Sequence, residues 1–340
     1  MSRVNDKDST KGRPRFYAKL DKAGVGLLAK RKVLGLLGGI FRLLFILGMI
    51  YIFLFPVLYM LSVAIREPSS VNDPSVVWLP KALSTESLRT TLEVMNYWES
   101  LRLTVVLAVG STLGALISCT LAGYGLARYR FRGNKLVFGM MLLTIIVPPI
   151  TTISATFINF RYFDFAGILK LLSPVTGFDH INLLNTPFTF ILPSLFGTGI
   201  RCGLFIFIFR QFFSGMPGDL EEAARIDGCG AGRTFVQIML PLARPALITV
   251  LLFSFIWNWN DYYTANTFFM DGVKPLSVML YDLQEMLQSA GILSSSTAGI
   301  HELRTYLQSG ALLMIAPPLV LYIFTQHFFT ESIERTGIVG

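Results

Sequence analysis

Apolar residues along this chain fall into long blocks separated by polar connectors. The blocks are Phe41–Ala64, Leu101–Ala127, Leu136–Phe157, Phe188–Phe213, Pro245–Phe268 and Gly310–Phe329. A helix needs roughly 20 residues to cross a hydrocarbon layer, and each block supplies about that many. Lipid offers no hydrogen bonds, so a backbone crossing it must satisfy its own donors and acceptors. The pattern therefore predicts an all-α membrane protein with six transmembrane helices.

Composition strengthens this reading. Of 340 residues, 53% are hydrophobic and 15% are charged, whereas a soluble domain carries about 25% charge. The net charge of +8 could suggest nucleic acid. Its cations, however, gather before the first block, at Arg13, Arg15, Lys19, Lys22, Lys30, Arg31 and Lys32. That is the flank expected on the cytoplasmic side of a first span. No nucleic-acid recognition motif accompanies them, and no nucleic-acid partner is expected. Residues 1–40 read as a basic cytoplasmic extension. They do not read as a cleaved leader, because the following apolar run is too long and lacks a small-residue cleavage site. Residues 41–332 form the predicted membrane domain, and 333–340 a cytoplasmic tail.

The connectors set the orientation. The segment "RYRFRGNK" carries Arg128, Arg130, Arg132 and Lys135 without an acid, which places it in the cytoplasm. The Arg66–Glu99 loop is acid-rich, and the Arg161–Thr186 and Met270–Gln308 loops hold few cations, which suits the outside. An even number of spans puts both termini in the cytoplasm. The loop 214–244 then also lies there.

Two features concern packing. Gly110, Gly114, Ser118 and Ala122 recur every fourth residue in the second block, a stripe that lets helices approach closely. It serves packing within the chain or a seam with another subunit. Pro148-Pro149 and Pro317-Pro318 predict breaks or kinks in the third and sixth blocks.

The chain lacks the usual chemistry. It has no GxxxxGK[ST] loop for nucleotide phosphates and no GxSxG nucleophile. His180, His301 and His327 lie far apart, and Cys119, Cys202 and Cys229 form no CxxC pair. No catalytic residue, metal site or cofactor is expected in the chain. Carboxylates are nearly absent from the blocks, Asp261 being the exception. An ion-coupled carrier usually keeps such groups at mid-depth. Energy is therefore expected to enter from a partner.

Against this background the stretch "EEAARIDGCGAGRTFVQIMLPLARPAL", from Glu221, is conspicuously polar. Asp219 suits an N-cap with Glu222 three residues on, as in a capping box. Gly228 suits a left-handed helix end. A second short helix is expected over Arg233–Leu240. Ala223 and Ala224 leave a slim face, which suits a groove on another protein or close rest on the chain's own bundle.

Glu222-Ala223-Ala224, Gly228, Ile238, Leu240 and Pro241 resemble the EAA motif of ATP-binding-cassette importer permeases. "VVWLP", "AGYGLARYRFRG", "EEAARIDGCG", "LPLARPAL" and "WNWNDYY" are similar to the carbohydrate-uptake branch, specifically the maltose-type second permease. The resemblance runs from the first block to the C-terminus. It departs in the tail, "ERTGIVG", and in the long basic N-terminal extension.

The resemblance implies a type I importer bundle with a cytoplasmic coupling helix, sitting in a bacterial inner or plasma membrane. Its implied partners are a sister permease, two ATPase subunits holding ATP-Mg, an extracellular or periplasmic sugar-binding protein, and membrane lipid. Glu222, Ala223, Ala224, Asp227, Gly228, Leu240 and Pro241 would form the ATPase-coupling site. Alternatives are an EAA permease for a non-sugar solute and an ion-coupled transporter. Candidates for the substrate path are Arg201, Asn258, Asn260 and Asp261. The asparagines are hard to place in lipid, and Trp257 and Trp259 beside them suit either an interfacial belt or the path. Counting from Arg210 at about 1.5 Å per residue puts Arg201 about 14 Å in, near mid-membrane. An arginine that cannot lose its proton must there face water, carbonyls or a ligand. It serves either as a structural cation or as a contact for sugar hydroxyls or an acidic sugar.

Overall fold

A computed structural model describes residues 15–67, 82–293 and 297–336. "VVWLP" at 76–80, Arg13 and the last four residues of the tail lie outside the described residues. The described chain is helical and holds no named strand. Its only extended pairings are isolated bridges at Arg66–Leu83 and Phe163–Ile181.

Helix α1 spans Arg15–Ala64. Its Leu34–Ala64 part is long and apolar enough to cross a membrane, and side chains such as Phe41, Phe45 and Phe53 are exposed. The chain divides into two compact units at Tyr59 and Met60. The second unit holds the remaining helices. Here α2 (Glu86–Val94) leads to α3 (Tyr97–Arg128), which realises the second block as one unbroken helix.

Each of the next three blocks is interrupted, the third where its proline pair predicts a break or kink. The third divides into α4 (Asn134–Ile146) and α5 (Ile153–Arg161). A 3-10 turn at Pro149–Thr151 separates them, because neither Pro148 nor Pro149 can donate to the ladder. After α6 (Ile168–Thr176) in the connector, the fourth block divides into α7 (Phe188–Leu195) and α8 (Cys202–Ser214). The residues between include Gly197 at φ 70° and Arg201 at φ 59°, both left-handed, a region that cannot continue a right-handed helix.

Next come α9 (Asp219–Ile226), α10 (Ala231–Thr234), a π-turn (Phe235–Met239) and α11 (Leu240–Leu242). The fifth block is α12 (Arg244–Asn260) and α13 (Tyr263–Phe268). They part at Asp261, whose carboxylate accepts from Thr264 Oγ1 at 3.2 Å and from the Ala265 N–H at 3.0 Å. Helix α14 (Leu276–Ser289) precedes α15 (Thr297–Thr336).

In the sixth block the proline pair does not end the helix. Helix α15 runs through Pro317 and Pro318 without interruption. Each proline removes the donor to the carbonyl four residues back, at Leu313 and Met314. Other side chains take over. Tyr97 Oη donates to Leu313 O at 3.1 Å, and Trp259 Nε1 donates to Met314 O at 3.2 Å. Orphaned carbonyls satisfied by neighbouring helices leave the proline pair tolerable.

By length and composition, Leu34–Ala64, Tyr97–Arg128 and Glu302–Phe324 qualify as spans, and Ala231–Leu242 with Arg244–Asn260, bent by 76°, makes a fourth if counted as one. Helix α3 is the central post of the second unit. Its small stripe packs within the chain. A Cβ on Gly110 would lie 2.6 Å from Ile191 Cδ1, and one on Gly114 would lie 3.1 Å from the Leu195 backbone nitrogen. Ser118 Oγ donates to Ser194 O at 2.6 Å. Toward the Arg128 end, Phe205, Phe209 and Phe213 of α8 bury fully against the core shared with Ala115, Cys119 and Tyr124. Inside lipid such contacts gain from close packing and not from leaving water, which is why small residues recur on α3.

Candidate functional site

The polar stretch folds as two helical pieces around a tight turn. Helix α9 begins at Asp219 with Gly218 as N-cap, and no side chain caps it. The capping box expected of Asp219 and Glu222 is therefore not formed. Asp219 is instead the first helical residue, where its charge, with those of Glu221 and Glu222, faces the positive helix end. The C-terminus follows the expectation. Gly228 has φ 78°, its N–H donates to Arg225 O at 3.0 Å, and the Cys229 N–H donates to Ala224 O at 2.9 Å. This pair of bonds is a Schellman cap. The second piece is longer than the expected Arg233–Leu240. It runs over Ala231–Leu242, with the π-turn inside it.

One face of α9 turns toward the chain and the other away. Ala224 is 2% exposed, and Glu221 is largely covered. Glu222, Ala223, Ile226 and Asp227 are exposed, Ile226 to 86%. The slim face left by the two alanines is thus divided between the outside and the chain's own bundle. Successive residues are about 100° apart on a helix, so Ala223 faces out while Ala224 lets α9 lie close to its own bundle. Gly228 and Pro241 are exposed, and Leu240 is half-buried. Ile226 was missed, although an apolar residue four positions after Glu222 in a polar helix was a readable signal.

The inward face makes a polar cluster. Glu221 Oε1 accepts from Tyr124 Oη at 2.8 Å and lies 3.2 Å from Arg128 Nε. Arg128 also donates from Nη1 to Met216 O at 3.1 Å and from Nη2 to Pro217 O at 3.0 Å. Neither partner signals the other in sequence.

The path candidates differ in exposure and in what they bond. Arg201 is exposed at the α7–α8 break, with its guanidinium 5.7 Å from the centre of the Trp257 ring. Trp257 stacks on Phe205 and Phe253, with centroids 5.6 and 5.4 Å away. Asn258 is buried, its Nδ2 donating to Ser254 O at 2.8 Å while Oδ1 has no partner. Asn260 is exposed and donates to Ile256 O at 2.9 Å. Asp261 is occupied just before α13, where its carboxylate accepts from Thr264 and Ala265. Trp259 is 2% exposed, so it is a packed donor and not part of an interfacial belt.

Comparison with known proteins decides what kind of bundle this is. The family described as binding-protein-dependent transport system inner membrane component matches residues 114–331, more than half the chain. The chain belongs to this family. The match covers α8 to α12 and therefore the whole polar stretch. Relatives within this permease family include the melibiose/raffinose/stachyose import permease protein MelC of Bacillus subtilis, 26% identical over 79% of this chain and 86% of its own length. The arabinooligosaccharides transport system permease protein AraQ of Halalkalibacterium halodurans is 25% identical over 85% of this chain and 92% of its own. The sn-glycerol-3-phosphate transport system permease protein UgpE of Yersinia pestis is 30% identical over 67% and 69%. A chain of a bacterial ABC transporter involved in the import of the acidic polysaccharide alginate shares the fold, with TM-score 0.62 and 20% identity over 95% of this chain and all of that one.

Proposed function

We propose that this chain is the membrane permease subunit of an ATP-driven importer for a sugar or oligosaccharide. The observation that carries the reading is the two-faced helix α9. It is tied to its own bundle through Glu221 and Ala224 and offers Glu222, Ala223, Ile226 and Asp227 outward, inside a permease-family match. An exposed isoleucine among Glu222, Arg225 and Asp227 suits a partner groove with an apolar floor and a charged rim. The names of MelC and AraQ support a carbohydrate cargo.

In this reading the chain crosses a bacterial plasma membrane six times, the interrupted helices counting as single bent spans, with both termini in the cytoplasm. It pairs with a sister permease. Two ATPase subunits hold ATP-Mg and hydrolyse it, and this chain has no catalytic role. A binding protein delivers sugar from outside. Closure of the ATPases on ATP draws the α9 helices together and tilts the spans outward. Hydrolysis resets them, so access alternates.

Glu222, Ala223, Ile226, Asp227, Gly228, Leu240 and Pro241 serve coupling. Ala224 serves from within, by letting α9 lie close. Arg201 and Asn260 are the exposed path candidates. Asn258 is a buried path candidate, and Asp261 lies at the break between α12 and α13.

A second reading, uptake of a phosphorylated polyol, is favoured by the likeness to UgpE at 30% identity. Thermal-shift screening of the cognate binding protein separates the two, because a bound ligand raises stability. Stabilisation by neutral sugars supports the first reading. Stabilisation by glycerol phosphates alone replaces it with the second.

A further inference from the structure

We propose that Arg128, Tyr124 and Glu221 form the joint through which movement of α9 reaches α3, and so set how much cargo each ATP moves. This rests on the reading of α9 as the ATPase-docking helix and adds the element that carries its motion inward.

Arg128 is the last residue of α3. Its guanidinium faces two carbonyls of the α8–α9 connection and one carboxylate of α9 itself. Nη1 and Nη2 donate to the consecutive carbonyls of Met216 and Pro217 at 3.1 and 3.0 Å, while Nε lies 3.2 Å from Glu221 Oε1. Two N–H groups of a planar fork hold the neighbouring carbonyls while the guanidinium charge pairs with the carboxylate, an arrangement a lysine ammonium, a single point charge, cannot reproduce. The two side chains are 12% and 15% exposed. Those of Arg89 and Glu93 are 82% and 67% exposed. Salt screens the exposed pair much more than the covered one.

Tyr124 stands one turn before Arg128 on the same face of α3. Its hydroxyl donates to the same carboxylate oxygen at 2.8 Å. Its ring meets Phe213 at the end of α8 and Phe235 beyond the turn, with centroids 5.3 and 4.8 Å away. A single turn of α3 therefore holds the end of α8, the first turn of α9 and the piece after Gly228. Just above, a Cβ on Gly123 would lie 2.5 Å from Phe209 Cβ, so α3 and α8 meet almost backbone to backbone. The one fully covered residue of α9 is Ala224, with Leu220 half-buried, and such apolar contacts resist sliding weakly. A pull on α9 must either drag α3 or break the Glu221 contacts.

The test uses the complete complex with sister permease, ATPases and binding protein in proteoliposomes, reading cargo moved per ATP hydrolysed. Arg128→Lys, Glu221→Gln and Tyr124→Phe are compared with the parent chain. ATPase co-purification and basal hydrolysis should stay at parental levels. Cargo per ATP should fall at least about fivefold in the first two, the low end of site-to-site couplings, and less in Tyr124→Phe. A short bis-maleimide joining Arg128→Cys to Glu221→Cys, in a Cys229→Ser chain, should restore the ratio.

Parental ratios in all three variants would overturn the joint. Loss of ATPase co-purification in Glu221→Gln and Tyr124→Phe alike would also overturn it, leaving the cluster as scaffolding. A parent complex that moves no sugar on ATP would instead overturn the underlying reading, and it shows before any variant is made.

Discussion

Trp259 donates its indole N–H to the carbonyl of Met314, at 3.2 Å. Met314 lies four residues before Pro318, so its carbonyl has no helical donor of its own. The tryptophan supplies what the proline withholds, and the partners lie 55 positions apart. Trp259→Phe should therefore destabilise the purified complex by about 1–3 kcal/mol, the cost of one buried carbonyl left unpaired. Thermal unfolding in detergent measures it. In a Pro318→Ala chain, which regains the backbone donor, the same substitution should cost clearly less. Equal costs in both backgrounds would refute the pairing.

Two glycines of α3 should respond differently to the same change. A Cβ on Gly123 would sit 2.5 Å from Phe209 Cβ and 3.0 Å from the Arg210 backbone nitrogen, while one on Gly125 meets nothing within 4 Å. Gly123→Val should force α3 from α8 and cost roughly 1–3 kcal/mol or more, as overpacking does. Gly125→Ala should leave yield and melting temperature unchanged. Size-exclusion profiles and melting curves of the two variants check this.

The outward face of α9 should be separable from its fold. Proline at Gly228 cannot adopt φ 78° and also removes the N–H that bonds Arg225 O. Glu222→Lys reverses an exposed charge. Both variants should keep basal ATP hydrolysis in the complex and lose at least about fivefold of the stimulation by loaded binding protein. Parental stimulation in both would argue against coupling through α9.

Arg201 and Trp257 make a cation–π pair beside a break in the fourth block. Arg201→Gln keeps donors and removes charge. Uptake of a neutral sugar should fall by no more than about tenfold, corresponding to about 1.4 kcal/mol, whereas an acidic cargo should lose most transport. Radiolabelled uptake with assembly checked in parallel distinguishes these. Failure to assemble would make Arg201 structural.

Orientation is open to direct labelling. A cysteine at Ser84 should react with an impermeant maleimide added to intact cells, and one at Ser214 should react only after lysis. The reverse pattern would invert the proposed topology.

Much of this architecture was legible along the chain. The apolar blocks announced helices because burial in lipid demands an unbroken run of apolar residues. Helix α3 matches its block to within a few residues. Gly228 announced the end of α9 because only glycine takes a left-handed turn without strain. The proline pairs were legible as missing donors, but not in their effect. Pro148-Pro149 ends a helix, while Pro317-Pro318 rides inside one. The difference lies in Tyr97 and Trp259, which come from other helices. No local pattern could likewise choose Glu221 to face Arg128 and Glu222 to face outward, or put Arg201 at φ 59° over Trp257. Periodicity and turn chemistry act over a few residues, and the sequence determines them alone. Which carbonyl finds a donor, and which charge a partner, depends on helices far apart in the chain, and only their packing decides it.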